Sequence, residues 1–190
     1  MAGQRSVDDR LAATTLQLLR GRGPAATTVE AVAAASGIAK TTIYRRHRDR
    51  RDMLASALAG LDSPPLPVAH ADGETRLRWV IANAVAVVQD GIGFGGLAAL
   101  LTKGDPEFTA LFQEILARQR AVLEAVINDG KADGSLRPDV DNATLIDAVV
   151  GAYIAENARR ESVAHGWETR IFELLWPAVR PGVHGSGDRR

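Results

Sequence analysis

The densest concentration of chemically capable side chains lies between Lys40 and Arg51. Six cations (Lys40, Arg45, Arg46, Arg48, Arg50 and Arg51) stand there against the single acid Asp49, a density suited to neutralising phosphates. Tyr44 sits among them. On a helix starting near Ala39, Lys40, Thr41, Tyr44 and Arg45 share one side and Ile43 points inward. Thr hydroxyls and methyls suit base edges, whereas Lys, Arg and the Tyr hydroxyl suit phosphate or guanine.

Other constellations carry less. Gly91-Ile-Gly93-Phe-Gly95-Gly96 satisfies G-x-G-x-x-G, with Glu114 about twenty residues on, as a dinucleotide site would have. The preceding segment is helical by spacing, however, and no βαβ unit is present to complete a parallel sheet, so an enzyme built on this segment is set aside in favour of a Gly-rich break between helices, a hinge near a pocket. The four His (47, 70, 165 and 184) form no metal-ligand spacing. Cysteine is absent, which removes disulfides, thiol catalysis and thiolate metal sites. Ser36-Gly37 lacks the G-x-S-x-G frame of a hydrolase elbow. The expectation is a protein that is not an enzyme, with no metal and no cofactor.

The elements that must position the basic segment follow from periodicity. Leu11, Ala12, Thr15, Leu18 and Leu19 predict a helix over 7–20, stopped by Gly21 and Gly23-Pro24. Thr27 with Glu30 has capping-box spacing for a second helix to about Ala35. Ser36-Gly37 supplies a turn before a third segment, Ala39 to His47. Helix, Gly-containing turn, helix is the helix-turn-helix plan, with the third segment as recognition helix. Asp49 caps a helix over roughly 50–60, and the Pro-rich stretch within 62–73 marks a module boundary.

Beyond it, Leu77, Val80, Ile81, Ala84, Val85 and Val88 predict a buried helix over 74–90. A short apolar stretch follows at Leu97–Leu101. Asp105-Pro106-Glu107 opens a long helix to about Asn128. Two further helices span about 142–160 and 167–179, and the Gly- and charge-rich tail 181–190 is expected to be disordered. No segment alternates with period two, so the fold class is all-α, with about nine helices.

Composition agrees with a globular chain, at 46% hydrophobic and 24% charged residues. The longest strongly apolar stretch, Trp79 to Val88, is half of what a spanning helix needs, roughly 20 residues, and the start of the chain resembles no signal peptide. A cytoplasmic address without membrane attachment is expected. Net charge is zero, yet residues 1–60 carry +5 and residues 61–190 carry −5, which suggests that the first part meets a polyanion.

The segment from Thr27 to Arg45 also closely resembles the DNA-binding segment of the TetR (tetracycline-repressor-like) family. The matching residues are Thr27, Thr28, Val29, Val32, Ala33, Ser36, Gly37, Ile38, Lys40, Thr42, Ile43, Tyr44 and Arg45, within a gapless match over 10–54. Ala39 stands where a Ser often caps the recognition helix, His47 where Phe or Trp usually plugs the small core, and Arg48 in place of a frequent Pro. The resemblance implies that Thr28, Val29, Lys40, Thr41, Thr42, Tyr44, Arg45 and Arg46 touch DNA, and that Arg50 meets phosphate.

It further implies a DNA-binding domain over 1–48 and a helical ligand-binding and dimerisation domain over 49–180. The implied function is a ligand-responsive regulator, a repressor that binds a palindromic operator on double-stranded DNA as a homodimer and is released by a small apolar effector. Polar groups set in apolar helices, with aromatic walls, mark Trp79, Asn83, Phe94, Phe108, Phe112, Tyr153 and Asn157 as effector-pocket candidates, with ordinary core packing as the alternative. Small residues allowing close helix approach mark Gly151, Ala152 and Ala155, with Ile171, Leu174 and Leu175, as dimer-interface candidates. A DNA-binding architectural module without effector is the remaining alternative.

Overall fold

In a computed structural model of the chain, residues 6–59, 64–67, 70–160 and 162–182 are described. Nine α-helices and one π-helical segment occur among them, and no strand: α1 (Val7–Arg22), α2 (Val29–Ser36), α3 (Lys40–Arg46), α4 (Arg50–Leu58), α5 (Gly73–Ala86), the π segment (Val87–Ile92), α6 (Gly93–Thr102), α7 (Pro106–Ala132), α8 (Asn142–Arg160) and α9 (Trp167–Val179). The all-α class is as expected. Most of the expected tail, residues 183–190, lies outside the described residues.

Helix boundaries are set by local polar chemistry. Ser6 and Asp9 form a reciprocal capping box at the start of α1. α2 is capped one residue later than its spacing predicts: Thr28 accepts from the Ala31 amide, while Thr27 is buried and donates its hydroxyl to the Gly23 carbonyl. Thr27 therefore closes the α1–α2 loop instead of capping. Gly37, at φ +68°, ends α2 with its amide on the Ala33 carbonyl, the left-handed cap that favours glycine. Ala39 gives α3 no side-chain cap.

The chain divides into two compact units, one of residues 1–63 with 86–119 and the other of 64–85 with 120–190. In the first, α1 packs on α2, α4 and α6, and α2 on α3. Leu11, Leu18, Val29, Val32, Ile38, Ile43 and Met53 form its small core around the helix-turn-helix. Full burial of such a side chain contributes about 1.5–3 kcal/mol, enough to hold a seven-residue α3 that has little stability of its own.

In the second unit, Arg78 of α5 lies over the Phe172 ring at 3.6 Å, and Phe172 stacks on Trp176 at 5.9 Å. Arg76 is buried and reaches Asp133 at 2.7 Å and the Ala71 carbonyl at 2.9 Å. Tyr153 meets Trp167 edge to face at 5.3 Å.

The Gly-rich stretch 91–96 breaks the helix as expected, but at one residue and without a loop: the π geometry of Val87–Ile92 ends at Gly93, whose φ +62° and ψ −177° are not helical, and α6 follows directly. Glycine is required there by neighbours in the first unit. A Cβ on Gly93 (φ +62°) would stand 3.1 Å from the Arg20 Cα, and one on Gly95 would stand 3.2 Å from the Arg20 carbonyl oxygen. The glycines let α6 approach the end of α1. With no loop between them, the helical segments of Gly73–Thr102 also make one run long and apolar enough to cross a membrane by length and composition alone, longer than the apolar stretch Trp79 to Val88. Leu77, Val80, Ile81, Val85, Val87, Val88 and Ile92 of this run are buried within the protein, the pattern of a core helix.

Candidate nucleic-acid interface

The helix-turn-helix presents α3 by burying one residue of it. Ile43 is fully enclosed, while Thr41, Tyr44 and Arg45 are exposed, Tyr44 to 52%. A large aromatic half in water beside an exposed Arg is an unusual surface for a protein to leave unless it meets a partner. Thr42 is half-buried.

Other candidate contacts are engaged within the head. Lys40 Nζ lies 3.2 Å from Glu30, and Arg46 Nε 2.6 Å from Asp8. The Glu30 carboxyl is held below its usual range by a backbone amide and then by Lys40. Thr28 accepts the α2 cap bond, and Val29 is 4% exposed in the small core. Val29 thus offers packing, and its side chain is not on the DNA-facing surface expected from the resemblance.

Arg50 departs most from expectation. Its side chain is 22% exposed, and the guanidinium donates from Nε to the Thr27 carbonyl (3.0 Å), from Nη2 to the Pro24 carbonyl (2.5 Å) and Asp105 (2.6 Å), and from Nη1 to Glu107 (2.8 Å). Four bonds of this kind use nearly all its donors. Burial raises the Asp105 carboxyl, but the Phe108 amide and then Arg50 favour its charged form more strongly, and it ends below the usual aspartate range. Sequence spacing carries no signal of this cluster, since its acids lie more than fifty residues from Arg50 in the chain.

The effector candidates are drawn from both compact units. Phe94, Phe108 and Phe112 belong to the first unit, and Trp79, Asn83, Tyr153 and Asn157 to the second. Phe108 and Phe112 are fully buried and stacked at 5.5 Å. Trp79 donates to the Pro65 carbonyl and Asn83 to the Trp79 carbonyl within its own helix. Two clefts in the second unit, of about 230 and 310 Å³, are lined by none of the seven. Four dimer candidates, Ala152, Ala155, Ile171 and Leu174, line the larger cleft, and Leu175 the smaller. Leu174 is 72% exposed and Gly151 and Ala155 are exposed, whereas Ile171 is buried.

A three-helix head that shows Thr41, Tyr44 and Arg45 to solvent has the helix-turn-helix plan of a DNA-binding protein. Comparison with known proteins narrows the class. Residues 11–57 match the bacterial regulatory proteins of the tetR family, and residues 69–179 match the tetracyclin repressor-like C-terminal domain. The chain belongs to the TetR family of transcription regulators, which are not enzymes. No curated protein sequence matches it.

Among solved structures the chain is similar to the transcriptional regulator FadR of Bacillus subtilis in complex with stearoyl-CoA (16% identity, 87% of this chain and 96% of that one, TM-score 0.62). It is also similar to a transcriptional regulator of Saccharomonospora viridis in complex with choline (17%, 93% and 99%, TM-score 0.64). A third is the ketosteroid transcriptional regulator KstR2 of Mycobacterium tuberculosis (19%, 94% and 98%, TM-score 0.57). At these identities the likeness is one of fold.

Proposed function

We propose that the protein is a cytoplasmic repressor that binds a palindromic operator as a homodimer and leaves it when a small apolar effector binds. The observation that carries the reading is the exposed triad Thr41, Tyr44 and Arg45 on α3, fixed by the buried Ile43. Lys40, Thr42 and Arg46 flank it, and Thr28 presents the start of α2. Domain roles divide at 48/49, with DNA binding in 1–48 and effector binding and dimerisation in 49–180.

The dimer contacts of the proposal are Gly151, Ala152 and Ala155 of α8 with Ile171, Leu174 and Leu175 of α9. Exposed small residues beside an exposed Leu support an isologous contact. Such a dimer places two recognition helices about one helical turn of DNA apart, which is why a palindrome is expected. The effector contacts are Trp79, Asn83, Tyr153 and Asn157, with Phe94, Phe108 and Phe112. That neighbours in fold carry ligands as unlike as stearoyl-CoA and choline supports an effector role without fixing its chemistry. Linkage makes effector and DNA weaken each other's binding equally.

The test is a fluorescence-anisotropy titration on the DNA flanking the protein's own gene, at two salt concentrations and against scrambled competitor. Tight, selective binding with two protomers per duplex is expected. Equal, weak binding to both DNAs by effector-free protein would count against a local operator.

A further inference from the structure

We propose that Arg50 is a positioning residue that clasps the DNA-binding head to the start of α7, and that Arg48 makes the phosphate contact at this corner. The inference rests on the DNA-binding reading and reassigns the position that the family resemblance gives to phosphate. Arg50 opens α4, just after the Asp49 cap, and its fork joins α4 to two other stretches of chain. Pro24 and Thr27 belong to the α1–α2 loop, and Asp105 and Glu107 to the entry of α7.

Asp105 serves two elements at once. One oxygen accepts the Phe108 amide and caps α7, and the other accepts Arg50. A planar fork saturated by two carbonyls and two carboxylates has almost nothing left to donate to phosphate. Two carboxylates beside it also repel a phosphate. Thr27, whose carbonyl takes Arg50 Nε, is itself fully buried and bonded to Gly23, so the loop before the helix-turn-helix is tied from both sides.

Arg48 has the opposite character. It lies in the turn between α3 and α4, its side chain is 88% exposed, and its carboxylate neighbour Asp52 is 3.9 Å away. A cation so placed, two residues from the end of the recognition helix, is available to a backbone phosphate at little desolvation cost.

The experiment measures the salt dependence of binding to a random-sequence duplex of about 30 base pairs, where each phosphate contact contributes roughly 0.9 to the log–log slope. Arg48→Gln is expected to reduce the slope by about that amount per protomer. Arg50→Gln is expected to leave the slope unchanged and displace the line, by about tenfold if one molecule in ten keeps a competent head. Asp105→Asn, which still caps α7, should match Arg50→Gln, and the double variant should lose no more than either.

Arg50→Lys keeps the charge but not the fork, and should be as impaired as Arg50→Gln. A reduced slope in Arg50→Gln, or near-normal binding by Arg50→Lys, would overturn the clasp. An unchanged slope in Arg48→Gln would overturn the phosphate assignment. Failure of the wild-type protein to bind any duplex would overturn the DNA-binding reading, and this proposal with it.

Discussion

Asp8, in the first turn of α1, accepts a 2.6 Å hydrogen bond from Nε of Arg46, in the last turn of α3. The recognition helix is thereby fastened at its end to the first helix of the head, by a pair whose acid is largely in water. Asp8→Asn should cost less than about 1 kcal/mol of stability, because exposed pairs contribute little. It should also steepen the salt dependence of DNA binding, since a guanidinium is released and a negative charge removed beside the interface. Urea denaturation and anisotropy at several salt concentrations check the two parts separately.

Arg45→Ala is expected to weaken binding to all sequences and to make the salt slope shallower by roughly 0.9 if the side chain meets phosphate. Tyr44→Phe removes one hydroxyl from a half-exposed ring, so it should leave the thermal midpoint in place while lowering affinity. Preserved affinity in both variants would contradict this face of α3 as the DNA surface.

Gly93→Ala should destabilise by about 1–3 kcal/mol, through strain at positive φ together with the clash on Arg20. Gly37→Ala, also at positive φ but with open space around the added carbon, should cost only about 1 kcal/mol. Urea unfolding of the two variants side by side should rank them in that order, because Gly37 lies in the left-handed helical region that L residues can enter, whereas Gly93, at ψ −177°, lies in one nearly confined to glycine and also meets Arg20.

Leu174→Glu is expected to give a folded monomer. The side chain is largely in water within one protomer, so its loss costs the isolated fold little, whereas a charge at the centre of an α8–α9 contact is costly. Sedimentation that shows the same assembly as wild type would place the interface elsewhere.

The carboxyls of Asp72, Asp105 and Asp141 all lie below the usual aspartate value of 3.8; beyond desolvation, which opposes the shift at each, hydrogen bonds from Thr75, Phe108 with Arg50, and Thr144 favour the charged form. Their contribution is complete above that value and is lost as pH falls through the lower folded values. Stability should be flat from neutral pH down to about 5 and fall below about 4. Asp105→Asn should flatten part of that fall, read as thermal midpoint against pH.

Much of this fold was legible in the sequence because its signals are local. Gly37, Asp49 and the 3.6-residue stripes act on their own neighbours, and the turn, cap and helices appear where they predict. One expectation failed for a non-local reason. Arg50 was read by position, but its direction is decided by Asp105 and Glu107, which no local pattern links to it. The exposed face of α3 was legible because one buried residue, Ile43, sets the rotation of the whole helix.

The closeness of Gly93 to Arg20 makes tolerance of change one-sided. The atoms that an added carbon at 93 would meet are the Arg20 Cα, Cβ and Cγ. Of these, only the Cγ varies freely with residue type, the Cβ is lost only in glycine, and the Cα at 3.1 Å stays whatever occupies position 20. A change at position 20 therefore alters only the outer part of the contact, and none there removes the backbone approach or the positive φ that burdens a side chain at 93. Revertants of a Gly93 variant should arise at 93 itself or by movement of α6, and a search for compensating pairs should find none between these two positions.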